Sequence, residues 1–175
     1  LIFGHEDREM RTYLLKQGMK KTEYEWCMQE GASTQTILGI DHYPACTQTL
    51  EKGGVIHTSF TLDRYRLYEL TKLYWERYPL PLLHTEVNAR PDLAVALCQK
   101  TYDDLRQLQR EGYPVIGMGW YGDEYQVGWH TAMVGPEGEE EHPVGLYYKG
   151  ETRPVALLFE RLLQKGFSTP RLGWF

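Results

Sequence analysis

The 175-residue chain carries 19 Lys+Arg against 24 Asp+Glu, a formal net charge of −5, with 42% hydrophobic and 25% charged residues. That composition suits one globular domain with a real core, and no run approaches the roughly 18 apolar residues of a membrane span. The acidic balance, without a block of Lys or Arg, argues against nucleic acid or an anionic membrane surface as a partner.

The chain opens Leu1-Ile2-Phe3-Gly4-His5 with no initiator Met and no signal-peptide pattern, and runs straight into charged sequence. It reads as cut from something longer. Residues 9–15 read as a short amphipathic helix closed by Gly18, and residues 21–28 as another closed by Gly31. Residues 36–41 form an apolar, β-branched run, taken as a buried strand ending at Asp41-His42-Tyr43-Pro44. Residues 47–58 lack a period and read as a long loop. From 62 to 78 the apolar side chains recur at three- and four-residue spacing, which predicts a helix. Residues 80–86 are the next strand, and Pro91 opens a long helix that runs to Gly112. Residues 114–120 make a third strand, followed by an acidic loop at 135–141, a short extended piece at 144–148 and a last helix at 153–164.

The order is strand, helix, three times over, with continuous rather than alternating apolar strands. This predicts an α/β fold with parallel strands covered on both faces, joined by right-handed crossovers. Three strands cannot close a barrel of eight, so in a barrel the chain is less than half of the architecture. Residues 1–175 are read as a single domain of this incomplete kind. Its open sheet edges predict self-association, aggregation or pairing with a missing N-terminal half. Cys27, Cys46 and Cys98 lie far apart with no C-x-x-C spacing, which points to reduced thiols and a cytoplasmic setting and excludes a Cys-only zinc site.

Chemistry-bearing side chains gather at the C-terminal ends of the three strands, the end that faces the active site in parallel α/β folds. Glu86 ends the second strand after Leu82, Leu83, His84 and Thr85, where a carboxylate is expensive unless bonded or functional. His84 and Glu86 are two apart and are expected to share a face, with Asn88 just beyond. Asp41, His42 and Tyr43 occupy the matching end of the first strand, and Trp120 and Tyr121 that of the third. Aromatic faces and carboxylates at one rim suit a sugar ring and its hydroxyls.

Three rival patterns are weaker. Gly117-Met118-Gly119-Trp120-Tyr121-Gly122 matches a dinucleotide fingerprint, but acidic Asp123-Glu124 follows where a helix N-terminus should hold the pyrophosphate. His84, Glu86 and His42 or Asp41 could form a mixed metal site, although no spacing demands it, so no metal and no cofactor is expected. There is no G-x-S-x-G elbow for a serine hydrolase.

The strand ends carry a family resemblance. Leu82-Leu83-His84-Thr85-Glu86-Val87-Asn88 resembles the nucleophile strand of glycoside hydrolase family 1, where Thr-Glu-Asn-Gly ends the seventh strand of a (β/α)8 barrel. Gly39-Ile40-Asp41-His42-Tyr43 is similar to that family's sixth strand, and residues 115–129, with Trp120-Tyr121 and Gln126-Val127-Gly128-Trp129, to its eighth strand and loop. Val144-Gly145-Leu146-Tyr147 and Arg153-Pro154 resemble its final extended piece and last helix. The resemblance implies an α/β fold comprising about strands 6–8 and flanking helices of the barrel, acting on β-linked sugars without a cofactor. Glu86 would be the nucleophile and Tyr43 its orienting partner. Trp120 would be the platform under the sugar, with Asn88, Asp41, His84, Gln126 and Trp129 as further substrate contacts. The acid/base Glu would lie upstream of Leu1, leaving this chain inert alone. Departures include Val87 between Glu86 and Asn88, Ala89 for Gly, and Tyr125 and Gly128 in place of two sugar-gripping acids. They motivate a second expectation, a non-catalytic carbohydrate-binding or scaffold relic of the barrel.

Overall fold

A computed structural model describes residues 6–31, 36–46, 48–50, 54, 56–58, 61–128 and 141–167. The chain divides into two compact units, Leu1–Thr36 and Ile37–Phe175. The first holds α1 (Arg8–Lys16) and α2 (Lys21–Glu30). Asp7 caps α1 by accepting from the Met10 amide at 2.9 Å, and Glu23 reaches back to the Lys20 amide at 2.9 Å to open α2. Tyr24 is the single buried side chain of the two helices.

The second unit is built on three parallel strands, β1 (Leu38–Asp41), β4 (Leu82–Glu86) and β5 (Val115–Met118), in the order β1-β4-β5. Between β1 and β4 the chain makes an antiparallel hairpin of β2 (Gln48–Leu50) and β3 (Ile56–Thr58), then α3 (Leu67–Arg77). The expected loop at 47–58 is therefore a hairpin, with Gly54 at φ 81° between its strands, a conformation L side chains rarely adopt. The helix expected from residue 62 begins at Leu67, because Leu62–Arg64 takes a 3-10 turn first. α4 (Pro91–Arg110) connects β4 to β5, and α5 (Pro154–Lys165) closes the described chain.

Helix α4 is the spine of the core. Its buried residues Ala94, Leu97, Cys98, Thr101, Tyr102, Leu105 and Leu108 step by three and four, so they form one stripe. That stripe packs with Ile40, Leu82 and Val115 of the strands, Leu67 of α3, and Val155 and Leu162 of α5. The other sheet face carries Gly39, Asp41, Leu83, Thr85 and Gly117, none of them buried. The expectation that both faces are covered thus fails for the described residues, and the core lies on one side of the sheet. The outer edges of β1 and β5 pair with no other strand among the described residues.

Two small hairpins follow β5. β6 (Gln126–Val127) pairs with β7 (Glu141–His142), and β8 (Tyr147–Tyr148) with β9 (Glu151–Thr152). The second turns on Lys149 and Gly150, both at positive φ (50° and 80°), as a two-residue hairpin requires. The extended piece expected at 144–148 is half of that hairpin. The acidic loop expected at 135–141 lies outside the described residues except for Glu141. No helix of the described residues is long and apolar enough to cross a membrane. Cys27, Cys46 and Cys98 are free thiols.

Candidate functional site at the strand ends

The open face of the sheet acquires its polar groups through a bulge. Ile40 pairs with His84 but Asp41 pairs with Glu86, so Thr85 is an extra residue in β4. A regular strand would alternate His84, Thr85, Glu86 and Val87 from face to face. Instead His84 (2% exposed) and Val87 (0%) both enter the core, while Thr85 and Glu86 both stay at the half-buried open face. The expectation that His84 and Glu86 share a face is corrected by this slip. Thr85 Oγ1 donates to Asp41 Oδ1 across the bulge. The β4–β5 approach is close here: the Gly119 amide donates to the His84 carbonyl at 2.7 Å, and a Cβ on Gly119 would collide with the Thr85 carbonyl.

Tyr43 reaches over from the end of β1, and its hydroxyl donates to Glu86 Oε2 at 2.7 Å. Burial, then the hydrogen bond to Glu86 and the Glu86 charge, push the Tyr43 phenol well above its ordinary range. Tyr43 therefore keeps its proton at all ordinary pH and acts on the carboxylate as a donor. The Asp41 and Tyr121 groups act on Tyr43 in the same direction, which places both near this pair. The Tyr121 amide donates to the Val87 carbonyl at 3.1 Å, fixing Tyr121 beside the exit of β4.

Trp120 is 9% exposed, belongs to the core, and its Nε1 donates to the Val144 carbonyl at 3.3 Å. The aromatic side chain that acts on Tyr43 is instead Tyr121, one residue on. His84 sits under the sheet, where burial and then the His42 charge lower its pKa to about 4. Asn88 is half-buried in the loop after Val87, and Gln126 is half-buried in β6, opposite His142. Trp129 lies outside the described residues. Sequence reasoning placed Tyr121 at the rim without giving it a role of its own, and missed Thr85, because a bulge leaves no mark in a five-residue strand.

No group of three or more His, Cys, Asp or Glu among the described residues could hold a metal ion. No helix follows the glycines at 117–122 before residue 128, so nothing there offers a pyrophosphate the amides of a helix N-terminus. The strand-end rim gathers a carboxylate held by a phenol, an aspartate bridged by a threonine and a second phenol.

The fold is a mixed α/β arrangement that resembles part of a β-glucosidase barrel. Two solved structures it resembles are the β-glucosidase from Thermotoga maritima in complex with deoxynojirimycin (11% identity, TM-score 0.65) and with noeuromycin (11%, TM-score 0.64). A third is the family 1 β-glucosidase from the same organism (11%, TM-score 0.63). Each match covers 95% of this chain and 43% of the solved one, so the chain spans less than half the length of these structures. No family model matches the sequence, and no curated protein matches it. The likeness is one of fold.

Proposed function

We propose that this chain is the C-terminal part of a retaining β-glycosidase of glycoside hydrolase family 1 type. In this reading residues 1–175 are one partial-barrel domain, with β1, β4 and β5 as barrel strands six to eight. Glu86 attacks the anomeric carbon to form a glycosyl–enzyme ester, and water later displaces the sugar from it. Tyr43 holds the carboxylate through its hydrogen bond, Tyr121 offers the aromatic face to the ring, and Asp41, Asn88, Gln126 and Trp129 accept or donate to hydroxyls. His84 serves from beneath the sheet rather than touching sugar. The proton for the leaving oxygen comes from a second carboxyl about 5–5.5 Å from Glu86, supplied by strands outside this chain. No cofactor is required, and the enzyme works in the cytoplasm with its thiols reduced.

The observation that carries the reading is the 2.7 Å bond from Tyr43 to Glu86 at the ends of adjacent parallel strands. In the complete natural polypeptide, Glu86→Gln is expected to lower turnover of an activated aryl β-glycoside by ~10³-fold or more. A 2-fluoro analogue of the same glycoside is expected to add its sugar to the Glu86 peptide, read by mass spectrometry. Unchanged turnover, or label on another residue, removes Glu86 from the role.

A second reading, a non-catalytic carbohydrate-binding relic, draws on Tyr125. Its ring packs edge-on against Tyr148 at 5.2 Å, filling with an aromatic pair the place where the resemblance calls for a sugar-gripping acid. That reading predicts iminosugar binding by the natural protein with no turnover and no covalent label.

A further inference from the structure

The turn that carries Tyr43 is held from the core side of the sheet by Tyr65. Tyr65 ends the 3-10 turn before α3 and is 2% exposed. Its hydroxyl donates to the His42 carbonyl at 3.3 Å, accepts from Thr101 Oγ1 at 3.2 Å, and lies 3.4 Å from His84 Nε2. Its ring stacks on the His42 imidazole with centroids 5.1 Å apart and planes at 21°. His42, itself 5% exposed, is gripped at both main chain and side chain by this one residue.

The proton count limits how the network can be arranged. A phenol has one proton to give. With that proton on the His42 carbonyl, His84 Nε2 is assigned the ring proton, donating toward Tyr65 and the His42 backbone and leaving Nδ1 as a lone pair. His84 Nδ1 is indeed buried without a hydrogen-bond partner among the described residues. Burial keeps the imidazole neutral at physiological pH, with its pKa at about 4, so that one ring nitrogen stays a lone pair. Buried polar groups are rarely left this way unless neighbouring contacts over-determine the arrangement.

The consequence reaches the open face because His42 and Tyr43 are consecutive. His42 points into the core and Tyr43 across to Glu86, as successive residues of extended chain do. A hydrogen bond of 2.7 Å has little slack, since ~0.5 Å of displacement takes an O–H···O contact out of its range. We infer that Tyr65 is a positioning residue for the Tyr43–Glu86 pair: by clasping His42 between hydroxyl and ring it fixes where the chain leaves β1, and so sets the reach of Tyr43. The functional weight of this device rests on Glu86 being the reacting group, but the device itself is read without substrate.

The experiment compares Tyr65→Phe, which keeps the stack and removes the hydroxyl, with Thr101→Val, which removes a donor to that hydroxyl and leaves the grip on His42. Both are made in the complete natural polypeptide. In Tyr65→Phe, amide exchange of the 36–46 segment is expected to quicken about fivefold, the equivalent of one hydrogen bond, with exchange in α4 unchanged. The ¹³Cζ signal of Tyr43, assigned by its absence in Tyr43→Phe, is expected to move toward its position in Glu86→Gln. Thr101→Val is expected to leave both readouts at their parent values. Faster exchange spread evenly over the protein would mean an ordinary packing role and overturn the proposal, as would an unmoved Tyr43 signal. Because neither readout uses a glycoside, failure of the glycosidase reading leaves these outcomes intact.

Discussion

The two faces of β4 are built for opposite purposes from four consecutive residues. On the core face His84 and Val87 are shut in with Tyr65, Thr101 and Leu97. On the open face Thr85 and Glu86 meet Asp41 and Tyr43. A regular strand would have buried Glu86 on the core side with His84 and turned Val87 out beside Thr85. The bulge converts alternation into an in–out–out–in pattern, at the point where the sheet must present two polar groups to the same space. Period-two reasoning is therefore safest in mid-strand and weakest at the strand ends, where active sites gather.

The sharpest break of that comparison is the aromatic pair Trp120 and Tyr121, adjacent in sequence and assigned to opposite faces. Trp120→Ala is expected to cost about 3–5 kcal/mol of stability, because it empties a core site and leaves the Val144 carbonyl without its donor. Tyr121→Ala is expected to leave the denaturation midpoint within about 1 kcal/mol of the parent. It should instead weaken binding of an iminosugar such as deoxynojirimycin, measured by calorimetry. Equal losses of stability at the two positions would erase the distinction between the faces.

His84 gives a pH-dependent version of the same test. Its folded pKa of about 4 lies below its ordinary value of 6.5. Between those values the unfolded chain binds a proton that the folded chain refuses, so stability is full above pH 6.5 and falls as pH drops toward 4. At roughly 1.4 kcal/mol per unit, the loss amounts to about 3 kcal/mol across the window. Burial lowers His42 as well, so it adds to the loss with the same sign. His84→Leu should flatten the curve of urea midpoint against pH between 7 and 4.5. Taking the difference from the parent cancels the carboxylates that titrate in the same range. An unaltered slope in the variant would place His84 in contact with solvent, on the open face after all.

How much of this was legible depends on length and redundancy. Helix α4 announces itself because seven buried positions repeat over about four turns and Pro91 marks its start. The hairpins do not, since strands of two and three residues are too short for any period to show, and of the described turn residues Gly54, Lys149 and Gly150 take positive φ. The parallel order of β1, β4 and β5 follows from apolar runs alternating with helical ones. That the core covers one face of the sheet does not, because the apolar Leu83 on the open face reads the same as the apolar Leu82 beneath it. At the site, Tyr43 and Glu86 could be named from the strand-end residues. Tyr65 could not, for its grip on His42 depends on a 3-10 turn displacing the first turn of a predicted helix.

The smallest expected effect asks what holds the bulge. Two devices are available: the side-chain bond from Thr85 to Asp41, and the backbone approach at Gly119, where the amide bonds the His84 carbonyl and no Cβ fits against the Thr85 carbonyl. Thr85→Val keeps the shape and removes the bond. Asp41 is exposed and can turn to water, so the loss should be about 0.5–1 kcal/mol, with the pH window of His84 unchanged. A value in that range assigns the bulge to the backbone, and the threonine then only steers the aspartate. If Thr85→Val instead abolished the pH window, His84 would have left the core. The slip in register would then be the work of one hydroxyl, and the division between the two faces would be far more fragile than the packing suggests.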